Sequence, residues 1–239
     1  MENTAKNQIP CCGSCEFLSV CFANKLEPEA RKLWSAMKAV QRLKDGEEIY
    51  SSTQKPAGFF MVCKGRAKVF STDAKGQQMI NWIRHPGELF GHIAFFSGTA
   101  YSCNARAMGE TVLSFFSEKA LDNFLAANPK TYKLFLRKLA EETHILQMKL
   151  NDAAYQPAKG KVAKTLLKAV SFKSKGTSLP AIYGLKRTEI AEITGLALET
   201  VVRILAEFEK KNLIKREVKS IKILDHAALT KIANPHAGK

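Results

Sequence analysis

The chain contains no apolar run near the roughly 18 residues that a membrane-spanning helix requires. Its first residues, Met1-Glu-Asn-Thr-Ala-Lys6, also lack the apolar core of a secretory signal. These absences lead to the expectation of a cytoplasmic protein that does not engage a membrane. Histidine is scarce and scattered, with five residues at 85, 92, 144, 226 and 236. With no H-x-H pair, no Gly-rich phosphate loop and no Ser-His-Asp arrangement, the expectation is that the chain is not an enzyme. Acidic residues are few: 22 Asp and Glu stand against 37 Lys and Arg, a formal net charge of +15. That excess favours a polyanionic partner, although charge alone does not separate DNA from RNA or an anionic surface. Six cysteines in a reducing compartment do not read as a disulfide framework.

Of the 239 residues, 46% are hydrophobic, enough for two cored domains. From about Gln41 to Ser117, short apolar or β-branched runs alternate with glycines. The runs are Glu48–Tyr50, Gly58–Val62, Ala67–Phe70, Met79–Ile83 and Thr111–Phe115. This pattern predicts a small antiparallel barrel or roll. Between Thr131 and Ala154 the period becomes helical: Tyr132, Leu136, Leu139, Thr143, Leu146, Leu150 and Ala153 recur every four or three residues. That is an a/d seam, which predicts a long helix pairing with a twofold mate in a homodimer. The alternative is that the seam packs on the roll. Pro157 ends or kinks this helix, and a further amphipathic helix over 159–172 opens the second domain. A polar loop follows over 171–180.

Thr188-Glu-Ile-Ala-Glu-Ile-Thr-Gly-Leu-Ala-Leu-Glu-Thr-Val-Val-Arg-Ile-Leu205 reads as two short helices joined by a turn at Gly195, a helix-turn-helix. Ile190, Ala191, Ile193, Val201, Ile204, Leu205 and Phe208 form its inner face, leaving Glu199, Val202, Arg203 and Ala206 outward. Arg can donate two bonds to guanine, Glu can accept from the cytosine amino group and Val can touch a thymine methyl. The plainer alternative makes Glu199 and Arg203 an i,i+4 surface pair contributing about 0.3–0.5 kcal/mol. Beyond them, Leu213–Val218 and Ser220–Leu224 predict a two-stranded basic wing lying against phosphates.

Four cysteines, Cys11, Cys12, Cys15 and Cys21, crowd the first 21 residues. Cys12, Cys15 and Cys21 have the spacing C-x2-C-x5-C, and three thiolates so spaced on an arm can converge on a four-iron, four-sulfur (4Fe-4S) cluster that still needs a fourth ligand. Zinc, buried thiols and redox-active thiols without metal are the other readings. Cys63, in Phe59-Phe-Met-Val-Cys63, is most simply core.

A glycine-spaced roll, a long helix and a winged helix-turn-helix, in that order, resemble the CRP/FNR superfamily of bacterial transcription regulators from about residue 10 to 235. The local matches are Lys44–Tyr50, Phe60–Val69, Pro86–Gly91 and Gly195–Leu205. The resemblance implies an α+β chain in four parts. These are a cysteine-rich arm over 1–25, a β-roll sensor of the cyclic-nucleotide-binding type over 26–127, a dimerisation helix over 128–156 and a DNA-binding winged helix-turn-helix over 157–239. It implies that Glu199 and Arg203 read a G·C step in each half of a palindromic duplex site, that Arg187 and Thr200, with Lys186 beside them, hold phosphates, and that RNA polymerase is a partner.

Two departures shape the expected input signal. Cyclic-AMP-binding members place a Glu after the second glycine of Gly-Glu-Leu-Phe-Gly and an Arg-Ser pair about ten residues on. Here those places hold His92 and Tyr101-Ser102, which cannot supply the charged bidentate bond to a cyclic phosphate, so cyclic AMP is not the expected effector. The arm resembles the cluster-binding arm of the oxygen-sensing FNR branch. That branch's fourth cysteine falls at Ser114 on an ungapped alignment, so Cys103 is the expected fourth ligand, with Cys11, Cys63 or a non-cysteine group as substitutes. The Asp that keeps the branch's apo-protein monomeric falls at Leu146, so the dimer, with Leu136, Leu139, Thr143, Leu146 and Leu150 on its seam, is expected to persist without cofactor. The rival functions are the same regulator answering to a small ligand in the roll, and a sensor or adaptor that binds no DNA.

Overall fold

The computed structural model describes residues 12–170, 180–218 and 220–234, so the polar loop expected over 171–180 lies outside the described residues except for Pro180. The described chain divides into two compact units: residues up to Gly76 with Asn81–Thr143, and Gln77–Ile80 with the residues from His144 onward. Among the described residues no helix is long and apolar enough to cross a membrane.

In the first unit, three short 3-10 turns (Cys12–Ser14, Leu18–Val20 and Phe22–Lys25) lead into α1 (Pro28–Met37). Pro28 takes the first helical position, where an N–H would have no intrahelical partner anyway. The strands follow as β1 (Ala39–Leu43), β2 (Glu48–Tyr50), β3 (Gly58–Thr72), β4 (Gln78–Arg84) and β5 (Leu89–Phe90), then α2 (His92–Ser97) and β6 (Asn104–Ser117). They form one sheet in the order β1-β6-β3-β4, with β2 also on β6 and β5 on β3. This is the expected roll, but two of its expected strands, Gly58–Val62 and Ala67–Phe70, are segments of the single strand β3.

What interrupts β3 is a bulge. Val62 pairs with Leu113 and Lys64 with Val112, so Cys63 is the extra residue without a partner on β6. A second register shift follows at Gly65, whose φ is +79° and whose added Cβ would lie 2.3 Å from the Glu110 carbonyl oxygen. Only glycine fits there.

Trp34, dropped from α1, is fully buried and gathers Phe22, Phe116 and Phe124 at centroid distances of 5.4, 4.1 and 5.4 Å. Each fully buried aromatic or aliphatic side chain of this kind stabilises the fold by about 1.5–3 kcal/mol. After α3 (Glu118–Ala127) comes α4 (Thr131–Tyr155). Its Thr131, Phe135 and Glu142 are buried, while Tyr132, Leu136, Thr143, Leu146 and Leu150 are exposed and Leu139 is half-buried. The face packed on the roll is therefore a different stripe from the heptad seam, and the seam is left uncovered.

The second unit begins with α5 (Ala158–Ala169), capped by Pro157, which supplies the break between α4 and α5. It continues with β7 (Ala181–Tyr183), α6 (Arg187–Thr194), α7 (Leu198–Lys210), β8 (Ile214–Arg216), β9 (Ser220–Ile223) and α8 (His226–Ala233). Val162, Leu166, Ile190, Val201, Leu205 and Phe208 form its core. The wing has three strands in the order β7-β9-β8. β7 was not expected, because Ala181-Ile-Tyr183 is too short for its alternation to register in the sequence.

Candidate functional site

Gly195 ends α6 with a φ of +65°, where an amino acid with a side chain would be strained. That turn sets α7 against α6 so that Val201, Ile204, Leu205 and Phe208 are buried. Glu199, Arg203 and Ala206 are exposed, and Val202 and Thr200 are half-buried. Glu199 and Arg203 form no ion pair with each other among the described residues, so the surface-pair reading is not realised. Lys186 and Arg187 stand exposed at the start of α6, whose first turn is fixed by the Glu189 carboxylate accepting from the Lys186 backbone N–H at 2.8 Å. The wing is less free to meet phosphate than its composition suggested. The Arg216 guanidinium donates from Nε to Glu209 at 2.6 Å, and Lys222 pairs with Glu217 at 2.6 Å, while Lys215 remains exposed.

The cysteines are arranged differently from the expectation. Cys12, Cys15 and Cys21 line one cavity of about 20 Å³, and the fourth cysteine on its wall is Cys63, together with Lys38, Phe17, Leu18, Met61, Val62 and Gly87. Cys103 is not there. It packs at the edge of the cluster around Tyr50 and Phe90, where its sulfur accepts from Asn81 Nδ2 at 3.1 Å. Lys38, buried at the end of α1, donates from Nζ to Cys12 Sγ at 3.3 Å, and Cys63 Sγ lies 2.9 Å from the buried Ser114 hydroxyl. Burial pushes the Cys21 thiol up to about 11 and raises that of Cys63, so a bound metal would have to displace their protons.

Gly87 seats the arm against the roll. Its φ is +88°, and an added Cβ would fall 2.5 Å from Cys21 Cα. Its carbonyl accepts from Phe22 N at 3.0 Å and its N–H donates to the Val62 carbonyl at 2.8 Å. One residue thus ties the neighbour of Cys21 to the neighbour of Cys63.

Four thiols around one cavity beside a buried ammonium are the donor chemistry of a cysteine-ligated metal centre, whose thiolates carry negative charge. Among the described residues no three Cys, His, Asp or Glu side chains stand close enough to hold a metal ion as placed. The cavity has room for about one water. The arm, made of 3-10 turns, is the part that would have to move on loading.

Aromatic side chains pack inside the roll. Tyr101 stacks on Tyr50 at 3.8 Å between centroids, and its hydroxyl donates to the Gly58 carbonyl at 3.3 Å. His92, half of the other departure noted in the sequence, is buried beside Glu142 of α4, with Nε2 3.3 Å from Oε2. Arg84 donates from NH1 to Glu142 Oε1 at 2.7 Å, and Lys138 Nζ lies 3.1 Å from the same oxygen. Burial alone would push the Glu142 carboxyl up, but the adjacent His92 ring and the Arg84 guanidinium outweigh it and hold the carboxyl far below the usual range. Burial also lowers the pKa of His92, against the pull of Glu142. Sequence reasoning missed this group, because Glu142 sits among ordinary surface-type residues of a charged helix.

A cyclic nucleotide-binding domain model matches residues 40–128, and a Crp-like helix-turn-helix domain model matches residues 160–232. The transcriptional activator protein anr of Pseudomonas aeruginosa is 26% identical over 225 residues, covering 93% of this chain and 92% of that protein. A CRP-like cAMP-activated global transcriptional regulator of Mycobacterium tuberculosis is 26% identical over 190 residues, covering 79% and 85%. In fold the chain is similar to a CRP/FNR-family transcriptional regulator from Thermus thermophilus, with a TM-score of 0.70 and 20% identity over 82% of this chain and 98% of that one. With a cyclic-nucleotide-binding roll followed by a Crp-like helix-turn-helix, and with relatives of the same order along most of its length, this chain belongs to the CRP/FNR superfamily of transcription regulators.

Proposed function

We propose that the protein is a homodimeric, sequence-specific DNA-binding regulator whose input is a metal centre at the cysteine arm rather than cyclic AMP. The observation that carries the DNA-reading part is the outward face of α7, where Glu199 and Arg203 are exposed and unpaired with each other while the opposite face is buried. Each recognition helix reads one half of a palindromic duplex, with Arg203 to guanine and Glu199 to cytosine, and Lys186, Arg187 and Thr200 against phosphates. Selection from random duplexes followed by gel shift tests this. A symmetric site with half-sites one helical turn apart is expected, and no enriched sequence would favour the adaptor reading.

The homodimer is supported by the uncovered seam of α4. Tyr132, Leu136, Leu146 and Leu150 remain exposed along a stripe that a second copy would bury. With Leu146 in that stripe the dimer persists whether or not the arm is loaded, so the signal acts on the DNA-binding units rather than on assembly. Sedimentation of metal-free protein as a monomer would overturn that view. Against cyclic AMP stands Tyr101, stacked on Tyr50 where cyclic-AMP-binding relatives carry an Arg, which offers no cation to a phosphate.

For the arm, the donor set favours a 4Fe-4S cluster over zinc, because the arm's C-x2-C-x5-C spacing is not the paired short spacing of zinc sites. When bound, such a cluster supplies oxygen and redox sensitivity. Protein purified without oxygen is expected to hold about four irons and four sulfides per chain, with visible absorption bleached by air.

A further inference from the structure

We infer that Cys63 of β3, not Cys103, completes a four-thiolate metal centre with Cys12, Cys15 and Cys21, and that the buried Lys38 ammonium balances its charge. The inference rests on the metal-centre reading given above and names its ligands.

The geometry starts from the bulge. In a regular strand, residue 63 would take its place in the ladder opposite β6. Here Val62 pairs with Leu113 and Lys64 with Val112, so Cys63 is the inserted residue, released from the ladder on the same side of the strand as Met61, which also lines the cavity of the arm cysteines. Its sulfur is on the wall of the cavity that the three arm cysteines line. Cys103, by contrast, contacts Asn81 and Ser102 and takes no part in that wall.

Two further observations bind Cys63 to the arm. The Gly87 backbone joins Val62 to Phe22, the residues next to Cys63 and Cys21, so the two thiols are held at one joint by consecutive hydrogen bonds. The contact between Gly87 and Cys21 Cα leaves no room for any other residue at 87. Ser114, beside Cys63 on β6, is fully buried and its hydroxyl meets the Cys63 sulfur at 2.9 Å, the kind of hydrogen bond that orients and tunes a metal-bound thiolate. Lys38 occupies the same wall, buried, with Nζ 3.3 Å from Cys12 Sγ. Thiolates at this wall would place negative charge directly beside that ammonium.

The consequence is that the sensor bridges the arm and the sheet. Loading or losing the centre changes the tension between the 3-10 turns of the arm and strand β3, which is hydrogen-bonded along its length to β6.

The test is anaerobic reconstitution of full-length wild type, Cys63→Ser and Cys103→Ser with iron and sulfide. Iron, sulfide and zinc per chain are measured, and each loaded sample is alkylated and peptide-mapped. Far-UV circular dichroism establishes that each variant is folded, and Cys63→Ala replaces Cys63→Ser if the hydroxyl unfolds the strand. The expected result is a full iron complement in wild type and Cys103→Ser, with Cys12, Cys15, Cys21 and Cys63 protected and Cys103 labelled, and loss of the visible band in Cys63→Ser. Lys38→Met is expected to weaken retention of the centre by about tenfold. Retention of the band by Cys63→Ser, or its loss in Cys103→Ser, overturns the ligand assignment while leaving the iron–sulfur reading intact. Zinc in place of iron, with Cys63 protected, keeps the assignment and overturns the iron–sulfur reading. Wild type that takes up neither metal overturns both.

Discussion

The buried group at Glu142 gives the sharpest energetic expectation. The side chains of Arg84 and Glu142 are 3% and 2% exposed and are bonded at 2.7 Å, so removing the carboxylate strands a guanidinium inside the protein. Glu142→Leu is expected to cost about 3–5 kcal/mol, the usual penalty for breaking a buried pair from one side. For a chain of this size each kcal/mol lowers Tm by about 2–4 °C, so the melt should fall by about 6–20 °C.

The pair itself is incompletely satisfied. Arg84 Nε and His92 Nδ1 find no hydrogen-bond partner among the described residues, and His92 Nε2 meets Glu142 Oε2 at 3.3 Å only as a contact outside hydrogen-bond geometry. Much of the cost of burying charge is therefore already present in the wild type. The double variant Arg84→Met/Glu142→Leu should consequently recover to within about 1 kcal/mol of wild type. Thermal melts of wild type, both single variants and the double variant complete the cycle. A Glu142→Leu melt within about 3 °C of wild type, or a double variant as unstable as the sum of the singles, would refute the reasoning.

The same group sets an acid dependence. The Glu142 pKa is depressed from its ordinary value of 4.5, so its stabilisation is present above that pH and drains away as pH falls below it. His92, lowered from 6.5, is kept neutral by burial, so the unfolded chain takes up its proton first and stability declines from about 6.5 downward. Both act in one direction, and the double variant should show a shallower decline below about 4.5, where Glu207, Glu209 and Glu217 still contribute, while keeping the part due to His92.

Other expectations follow from the interfaces. Arg203→Ala should cost about 1–3 kcal/mol in binding to the selected duplex and relax preference at one base pair, whereas Lys186→Ala should weaken all sequences alike and flatten the salt dependence, both read by fluorescence anisotropy across salt. Unchanged half-site preference in Arg203→Ala would mean that α7 is not the reading helix. Leu146→Asp places a charge in the uncovered stripe of α4 and should shift sedimentation from dimer to monomer, since like charges would face each other across a twofold seam. Gly87→Ala should unseat the arm, because its Cβ would lie 2.5 Å from Cys21 Cα. Faster proteolysis within the arm with little change in the melt of the second unit is the expected sign, and an arm as resistant as wild type would oppose it.

Local chemistry made several parts of this protein legible in its sequence. Gly195 between two apolar-periodic stretches specified the helix-turn-helix, since a left-handed residue is needed there and few others tolerate it. The seam residues from Tyr132 to Leu150 recur with a helical period and mark α4 without reference to the rest of the chain. Charge and the absence of catalytic groupings narrowed the function. The arm cysteines announced themselves by spacing because they are neighbours along the chain.

What only the tertiary structure decided are the relations between residues distant in sequence. Cys63 read as core because apolar neighbours surround it, yet the fold sets it on the wall that the arm cysteines line, 42 or more positions away. Lys38 joins them only because α1 ends where the arm passes. The two stripes of α4 look alike in sequence terms, and packing on the roll chose Phe135 and Glu142 for burial, leaving the seam open. Short elements such as β7 and α2 carry too few residues for a period and form because a neighbouring strand or core completes their hydrogen bonds and burial. Hydrophobic period and turn chemistry are local and can be read from the chain, whereas strand register and the meeting of distant side chains are set by closing loops around a common core, which no single segment encodes.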